Sequence, residues 1–98
     1  MTPDEVRQIL AANRTQLRGM SVRSLAVFGS VARDEATDAS DVDILVEFEE
    51  GARVGLFAFI ELKQFLEHLL GRSVDLGTPD TLRPRIRDRV LKEAIRVA

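Results

Sequence analysis

The stretch Phe28–Phe48, FGSVARDEATDASDVDILVEF, decides the fold, because it joins a Gly-Ser pair to two aspartates at the head of an apolar run. Side chains alternate across a strand, so Asp41 and Asp43 are predicted to share one face, while the apolar residues between and after them line the other. Their Cα atoms would lie about 6.5 Å apart, close enough for both carboxylates to bind a divalent cation. Unpaired, the two carboxylates would repel each other and resist desolvation. We therefore interpret the pair as a site for a hard cation such as Mg²⁺.

Gly29 and Ser30 interrupt an apolar segment just before a short helix is predicted to begin near Val31. A glycine lets backbone amides approach a ligand closely, and the N–H groups at a helix start favour an anion. Ser30 adds a hydroxyl donor. The pair is therefore predicted to cradle a phosphate, although an ordinary turn explains a Gly-Ser pair equally well when it is taken alone.

The length of the chain favours one domain spanning residues 1–98. A cytoplasmic location is expected for the following reasons. No apolar run approaches the roughly 18 residues of a membrane span, and the first residues lack the basic and apolar regions of a signal peptide. Cysteine is absent, so disulfides and thiolate metal sites are excluded and nothing indicates secretion.

Charge is distributed unevenly although the formal net charge is only −2. The segment 34–50 carries acidic residues and no basic one, whereas the segment 82–98 is dominated by arginine. Such blocks are typical of solvated faces, but the acidic one contains the aspartate pair and would concentrate cations, and the basic one could meet an acidic partner. With a net acidic chain and no Trp or Tyr to stack on bases, the composition argues against a nucleic-acid partner.

Hydrophobic periodicity predicts alternating helices and strands, and hence an α/β (α+β) fold with a small mixed sheet flanked by helices. The uninterrupted apolar run of the first strand predicts a central strand buried on both faces. The closing residues 95–97 could extend the last helix or form an edge strand. The predicted elements are a helix from the capping box at Thr2 to Gly19, strands at 22–28, 41–48 and 73–76, a helix at Leu56–Leu70 and a helix from Pro84.

Several side chains are predicted to be structural rather than functional. The phenylalanines of the long helix are interpreted as core residues, and His68 as an exposed helix position. Ser40 is interpreted as a loop cap. Residues predicted to face inward are Val6, Ile9, Leu10, Asn13 and Leu17 in the first helix, Phe57, Phe59 and Phe65 in the long helix, and Leu82, Ile86, Val90, Leu91 and Ala94 in or beside the last.

Gly29-Ser30, ten residues and then Asp41-x-Asp43 resemble the signature of the DNA-polymerase-β-like nucleotidyltransferase superfamily. The flanking segments look like its minimal nucleotidyltransferase (MNT) branch. The likeness covers nearly the whole chain, including Val74-Asp75-Leu76 and the segment 82–87. It implies the nucleotidyltransferase fold.

The resemblance also implies a site of three carboxylates. Asp41 and Asp43 would bind two Mg²⁺ ions that hold the triphosphate of ATP or another NTP. Asp75 would bind the catalytic metal or help deprotonate the acceptor hydroxyl, although an aspartate at that position could instead cap the strand end. Gly29 and Ser30 would hold the β- and γ-phosphates.

Arg33 is a further candidate ligand of the phosphates or of the acceptor protein. A surface salt bridge to Glu35 or Asp38 would explain it equally well.

Stand-alone chains of the MNT branch are typically antitoxins paired with HEPN-domain RNase toxins. The resemblance therefore implies that this protein transfers AMP from ATP to a tyrosine of its cognate toxin. The first alternative is an antitoxin that binds the toxin sterically without catalysis. Nucleotidyl transfer to a small molecule or RNA is the least favoured alternative, because nothing in the sequence predicts a pocket for such an acceptor. The oligomeric state stays open between a homo- and a hetero-oligomer.

Overall fold

Four strands form one mixed β-sheet in the order β3-β2-β1-β4. The computed structural model describes all residues from Met1 to Ala98. The strands are β1 (Val22–Phe28), β2 (Val42–Phe48), β3 (Val74–Gly77) and β4 (Ile95–Arg96). The helices are α1 (Pro3–Ala11), α2 (Arg14–Gly19), α3 (Gly29–Ala32), α4 (Leu56–Leu70) and α5 (Pro84–Glu93), with a 3-10 turn at Pro79–Thr81. This arrangement confirms the predicted α/β class with a mixed sheet.

The strand β1 lies inside the sheet, as its apolar sequence predicts. It pairs antiparallel with β2 on one side and with β4 on the other, whereas β2 and β3 run parallel. The residues 95–96 therefore form an edge strand rather than an extension of α5. The prediction that β1 is buried on both faces was wrong. Leu25 and Val27 are fully buried, but Ala26 and Phe28 on the opposite face are only half-buried.

The main core lies on one face of the sheet, between β2, β1 and the helices α1 and α4. In β2 the alternating residues Val42, Ile44 and Val46 are almost completely buried. Each such aliphatic side chain stabilises the fold by roughly 1.5–3 kcal/mol. Alternation then places Asp43 and Leu45 on the other face of the sheet. Residues that complete this core are Val6, Leu10, Leu17, Val22, Leu25, Val27, Val31, Leu62, Leu66, Leu70, Val74, Leu76 and Val97.

The first helix is shorter than the sequence predicts, because the chain breaks between α1 and α2 at Asn13. The Asn13 side chain donates a hydrogen bond to the carbonyl oxygen of Ile9, at 2.8 Å, and its backbone leaves the helical region. Asparagine competes for backbone groups in this way, which disfavours a helix interior. The predicted capping box is only partly formed, since Thr2 accepts the Glu5 amide.

Three inward-facing assignments were wrong. In α4 the buried stripe recurs every four residues and leaves Phe57 on the opposite side, where 83% of it is exposed; Phe59 and Phe65 pack against the core as predicted. In α5 only Val90 is buried, so Ile86 and Leu91 remain exposed. His68 is exposed, as predicted.

None of the helices combines the length and the apolar character that crossing a lipid bilayer requires.

Candidate functional site

Asp43 and Asp75 lie side by side on neighbouring strands. The parallel register of β2 and β3 pairs their Cα atoms directly, and adjacent strands lie about 4.8 Å apart. Asp43 is half-buried and Asp75 is exposed. Asp41 precedes β2 by one residue and is also exposed, so the strand begins one residue later than predicted. The sheet thus brings Asp43 and Asp75 together, with Asp41 at the same strand end.

The electrostatic environment of Asp43 disfavours its charged form. Partial burial raises the pKa of its carboxyl group, and the negative charges of Asp75, Asp41 and Glu93 raise it further. The positive charge of Arg33 partly offsets these effects. Asp41 and Asp43 therefore repel each other, as the sequence predicts, and Asp75 adds to this repulsion.

Gly29 lies directly against the Asp43 carboxylate. Its φ of 67° falls in the left-handed region, and a Cβ at this position would overlap the Oδ2 atom of Asp43. No other residue fits both restrictions without displacing Asp43. The predicted break after Phe28 is therefore a tight turn in which the Gly29 backbone packs against an acidic side chain.

Ser30 follows in the first turn of α3 and is half-buried. Its carbonyl oxygen accepts the amide of Glu35 at 2.8 Å, which closes the loop after the helix. Ser40, at the other end of this loop, accepts the amide of Thr37 at 3.0 Å, in agreement with its predicted capping role. The loop between the two motif halves is thus fixed by its own hydrogen bonds.

Arg33 is held by two acidic side chains. Its Nε donates to Oε2 of Glu35 at 3.2 Å, and its Nη1 donates to both carboxylate oxygens of Glu93 at 3.1 and 3.2 Å. The predicted pairing with Glu35 is confirmed, whereas that with Asp38 was wrong, because Asp38 pairs with Arg72 at 3.4 Å. These hydrogen bonds raise the pKa of the Arg33 guanidinium, because both carboxylates favour its charged form.

Glu93 contacts the candidate site, and the sequence analysis did not predict it there. It ends α5, and its Oε1 accepts the Gly29 amide at 2.7 Å. In the sequence it stands within the basic tail, remote from the motif. The available signal was the edge-strand option for residues 95–97, which would have placed the end of α5 beside the end of β1.

The donor set suits a divalent cation of the Mg²⁺ type. No three acidic, histidine or cysteine side chains are arranged closely enough to hold a metal ion, so the predicted ligation by Asp41, Asp43 and Asp75 stays a prediction. The carboxylates are nevertheless the hard oxygen ligands that Mg²⁺ prefers, and a cation would relieve their mutual repulsion. Asp41 and Asp75 are exposed and form no hydrogen bond through their side chains, so both can turn toward an ion.

Replacing Gly29 tests the close packing of backbone against carboxylate. We expect Gly29→Ala to lower the free energy of unfolding by about 1–3 kcal/mol, because the substitution combines a strained φ with steric overlap. The matched control is Gly19→Ala, at the end of α2, where φ is not positive and no atom lies within 4 Å of the added Cβ. Urea denaturation measures both, and an equal effect of the two substitutions would contradict this account.

Replacing Asp43 with Asn tests the electrostatic conflict. Because the pKa of Asp43 is raised in the folded state, protonation of its carboxyl group stabilises the folded protein. This contribution is fully present below the pKa of an unfolded aspartate, about 3.9, and is lost as the pH rises through the pKa of Asp43 in the folded state. In metal-free buffer at pH 7, Asp43→Asn should therefore unfold at a higher urea concentration than the wild type. The gap should close toward pH 4. A variant less stable than the wild type at pH 7 would show that Asp43 is not under like-charge strain.

Comparison with known proteins identifies the family. The protein-family model of the nucleotidyltransferase domain matches residues 6–97 of the sequence. The protein adenylyltransferase MntA of Thermococcus cleftensis is 46% identical over 98 residues, which cover 99% of this chain and 97% of that protein. A Methanocaldococcus jannaschii chain assigned the same activity is 37% identical over 98 residues, 98% of each chain.

Solved structures show the same architecture. A structure assigned to the minimal nucleotidyltransferases superposes with a TM-score of 0.78 at 42% identity and covers 97% of this chain and 95% of that one. A complex of the tri-AMPylated Shewanella oneidensis HEPN toxin with its MNT antitoxin gives a TM-score of 0.63 over 94% of this chain and 71% of that one; at 21% identity it shows the fold alone. This chain is an enzyme of the nucleotidyltransferase family and belongs to its minimal branch.

Proposed function

We propose that this protein is an antitoxin that transfers AMP from ATP to a tyrosine of a cognate HEPN-domain RNase toxin in an Mg²⁺-dependent reaction. The observation that carries the proposal is the in-register pair of Asp43 and Asp75 beside the Gly29 turn. The adenylyltransferase name of the 46% identical relative supports protein as the acceptor class.

The carboxylates of Asp41, Asp43 and Asp75 would hold two Mg²⁺ ions. When bound, such ions neutralise the triphosphate and stabilise the attacking and leaving oxygens of an in-line displacement. Gly29 and Ser30 would orient the β- and γ-phosphates, with Arg33 contributing its charge at the rim.

In the proposed reaction the tyrosine oxygen forms a bond to the α-phosphorus of ATP, the bond from that phosphorus to the bridging oxygen breaks, and pyrophosphate leaves. The phenolic proton must be removed as the bond forms. Asp75 is suited to accept it, because its carboxylate is exposed beside Asp43 and can face an incoming acceptor.

The open surroundings of the site favour a macromolecular acceptor. Asp41 and Asp75 are exposed, and the larger cavities of the protein are lined by other residues. A small-molecule acceptor is usually enclosed by a pocket that buries most of its surface. A protein side chain can instead be presented to an open site by the bulk of its own chain.

Steric neutralisation is the second candidate, and an exposed apolar patch at the start of α4 favours it. Leu56 and Phe57 are 70% and 83% exposed, and Ile60 adjoins them. Contiguous exposed apolar side chains mark surfaces that bind other proteins. Binding through such a surface could block a toxin without any transfer of AMP.

Mass spectrometry of the toxin distinguishes the two candidates. After incubation of the cognate HEPN-domain toxin with this protein, Mg²⁺ and ATP, we expect the mass of at least one AMP unit on a tyrosine of the toxin. Asp43→Ala should reduce the transfer by about 100-fold or more, the scale on which one electrostatic group acts in an active site.

The matched control is Asp80→Ala, which removes an exposed aspartate beside Glu47 and Phe48 at the other end of β2. This variant should transfer AMP at the wild-type rate. If Asp43→Ala still protects cells from the toxin, steric binding rather than catalysis is the mechanism, and if the wild-type protein adds no AMP, the proposed reaction is wrong.

A further inference from the structure

Glu93 occupies a central position at the site although it lies far from the motif in sequence. Its Oε1 accepts the Gly29 amide at 2.7 Å and also a hydrogen bond from Nη1 of Arg33 at 3.1 Å, while Oε2 accepts from the same Nη1 at 3.2 Å. One carboxylate thus holds both the turn at Gly29 and the side chain of Arg33, which are expected to lie against the polyphosphate. Charge-assisted hydrogen bonds of this kind are shorter and stronger than neutral ones.

The sheet fixes this arrangement. In the antiparallel pairing of β1 and β4, Val27 lies opposite Ile95. Gly29 and Glu93 lie two residues beyond this pair, where β1 passes into α3 and where α5 leads into β4. The carboxylate therefore reaches the turn from a backbone that is held in register, and its side chain is only 23% exposed.

Gly29 is enclosed between two carboxylates. Asp43 packs against its Cα side, and Glu93 binds its amide. Without Glu93, the turn would lose the hydrogen bond that fixes the direction of the Gly29 peptide. The Asp43 carboxylate, which touches the same residue, would then lose part of its support.

The geometry of Arg33 shows what the ion pairs leave available. Nε is bound to Glu35 and Nη1 to Glu93, whereas Nη2 makes no hydrogen bond within the protein. A long, half-exposed arginine otherwise samples many rotamers, and ordering it on binding has an entropic cost. Two anchored nitrogens leave one amino group free to meet an anion.

We propose that Glu93 is a positioning residue of the nucleotide site: it fixes the turn at Gly29 and the Arg33 guanidinium, so that Ser30 and the free Nη2 of Arg33 are placed to receive the polyphosphate of ATP. This inference rests on the proposed function. Glu93 itself does not touch the reacting atoms.

The test measures ATP affinity separately from turnover. Isothermal calorimetry with a non-hydrolysable ATP analogue and Mg²⁺ should show an affinity about tenfold weaker for Glu93→Ala, and KM for ATP should rise by a similar factor while kcat changes little, because the lost interactions position bound nucleotide. Glu93→Gln keeps an acceptor for the Gly29 amide but loses the charge, so its affinity for the analogue should lie between those of the wild type and Glu93→Ala.

Two further measurements exclude a merely structural role. The amide proton of Gly29 should move upfield in the NMR spectrum of Glu93→Ala, with partial recovery in Glu93→Gln. In a double-mutant cycle with Arg33→Ala, the losses of affinity should be less than additive, since Glu93 acts partly through Arg33. The control Glu47→Gln, which breaks the ion pair with Arg23 at the far end of β2, should bind the analogue like the wild type.

The outcomes separate this inference from the proposed function. If the wild type transfers AMP but both Glu93 variants keep wild-type affinity and KM, the positioning role is wrong. Tighter binding by Glu93→Ala would also overturn it, because the carboxylate would then compete with phosphate. If the wild type binds the analogue and Glu93→Ala weakens that binding, but no AMP transfer to the toxin occurs, the proposed reaction fails while the positioning role stands.

Discussion

The repulsion among carboxylates around Asp43 is the constraint on which the site depends. Asp43 is drawn partly into the protein by a strand whose alternate residues are fully buried, so it cannot move away from Asp75 on the neighbouring strand without disturbing the core. Burial and like charge both raise its pKa, and only Arg33 opposes them. A fold that holds these carboxylates together favours cation binding, because a divalent ion removes their repulsion and forms bonds to their oxygen atoms.

Strand register converts distant parts of the sequence into one site. The parallel pairing of β2 with β3 brings Asp75 to Asp43, and the antiparallel pairing of β1 with β4 brings Glu93 to Gly29. Both pairings are short, yet a shift of one residue would turn each side chain to the other face of the sheet. Buried side chains of the paired strands oppose that shift, since it would expose residues such as Val27 of β1, Ile44 of β2 or Val74 of β3. The apolar core therefore determines the geometry of the polar site beside it.

Sequence patterns predicted the parts of this structure in which local chemistry and burial agree. The aspartate pair, the Gly29 break and the helix α4 each follow from residues close together in the chain, and the structure has them where expected. The break at Asn13 was missed because a side chain competes with the helix for a backbone carbonyl, which apolar spacing does not reveal. The exposure of Phe57 was missed because it depends on how far a partner element extends along α4. Glu93 was missed because its role comes from a pairing between chain segments, and the sequence left the form of residues 95–97 open.

The location of a bound cation tests the central claim most directly. Crystals grown with Mn²⁺ and a non-hydrolysable ATP analogue would place the metal by its anomalous scattering. We expect metal density bounded by Asp41, Asp43 and Asp75, with the triphosphate beside Gly29. Metal density elsewhere on the protein, or nucleotide bound away from the Asp43 and Asp75 end of β2 and β3, would contradict the proposed site.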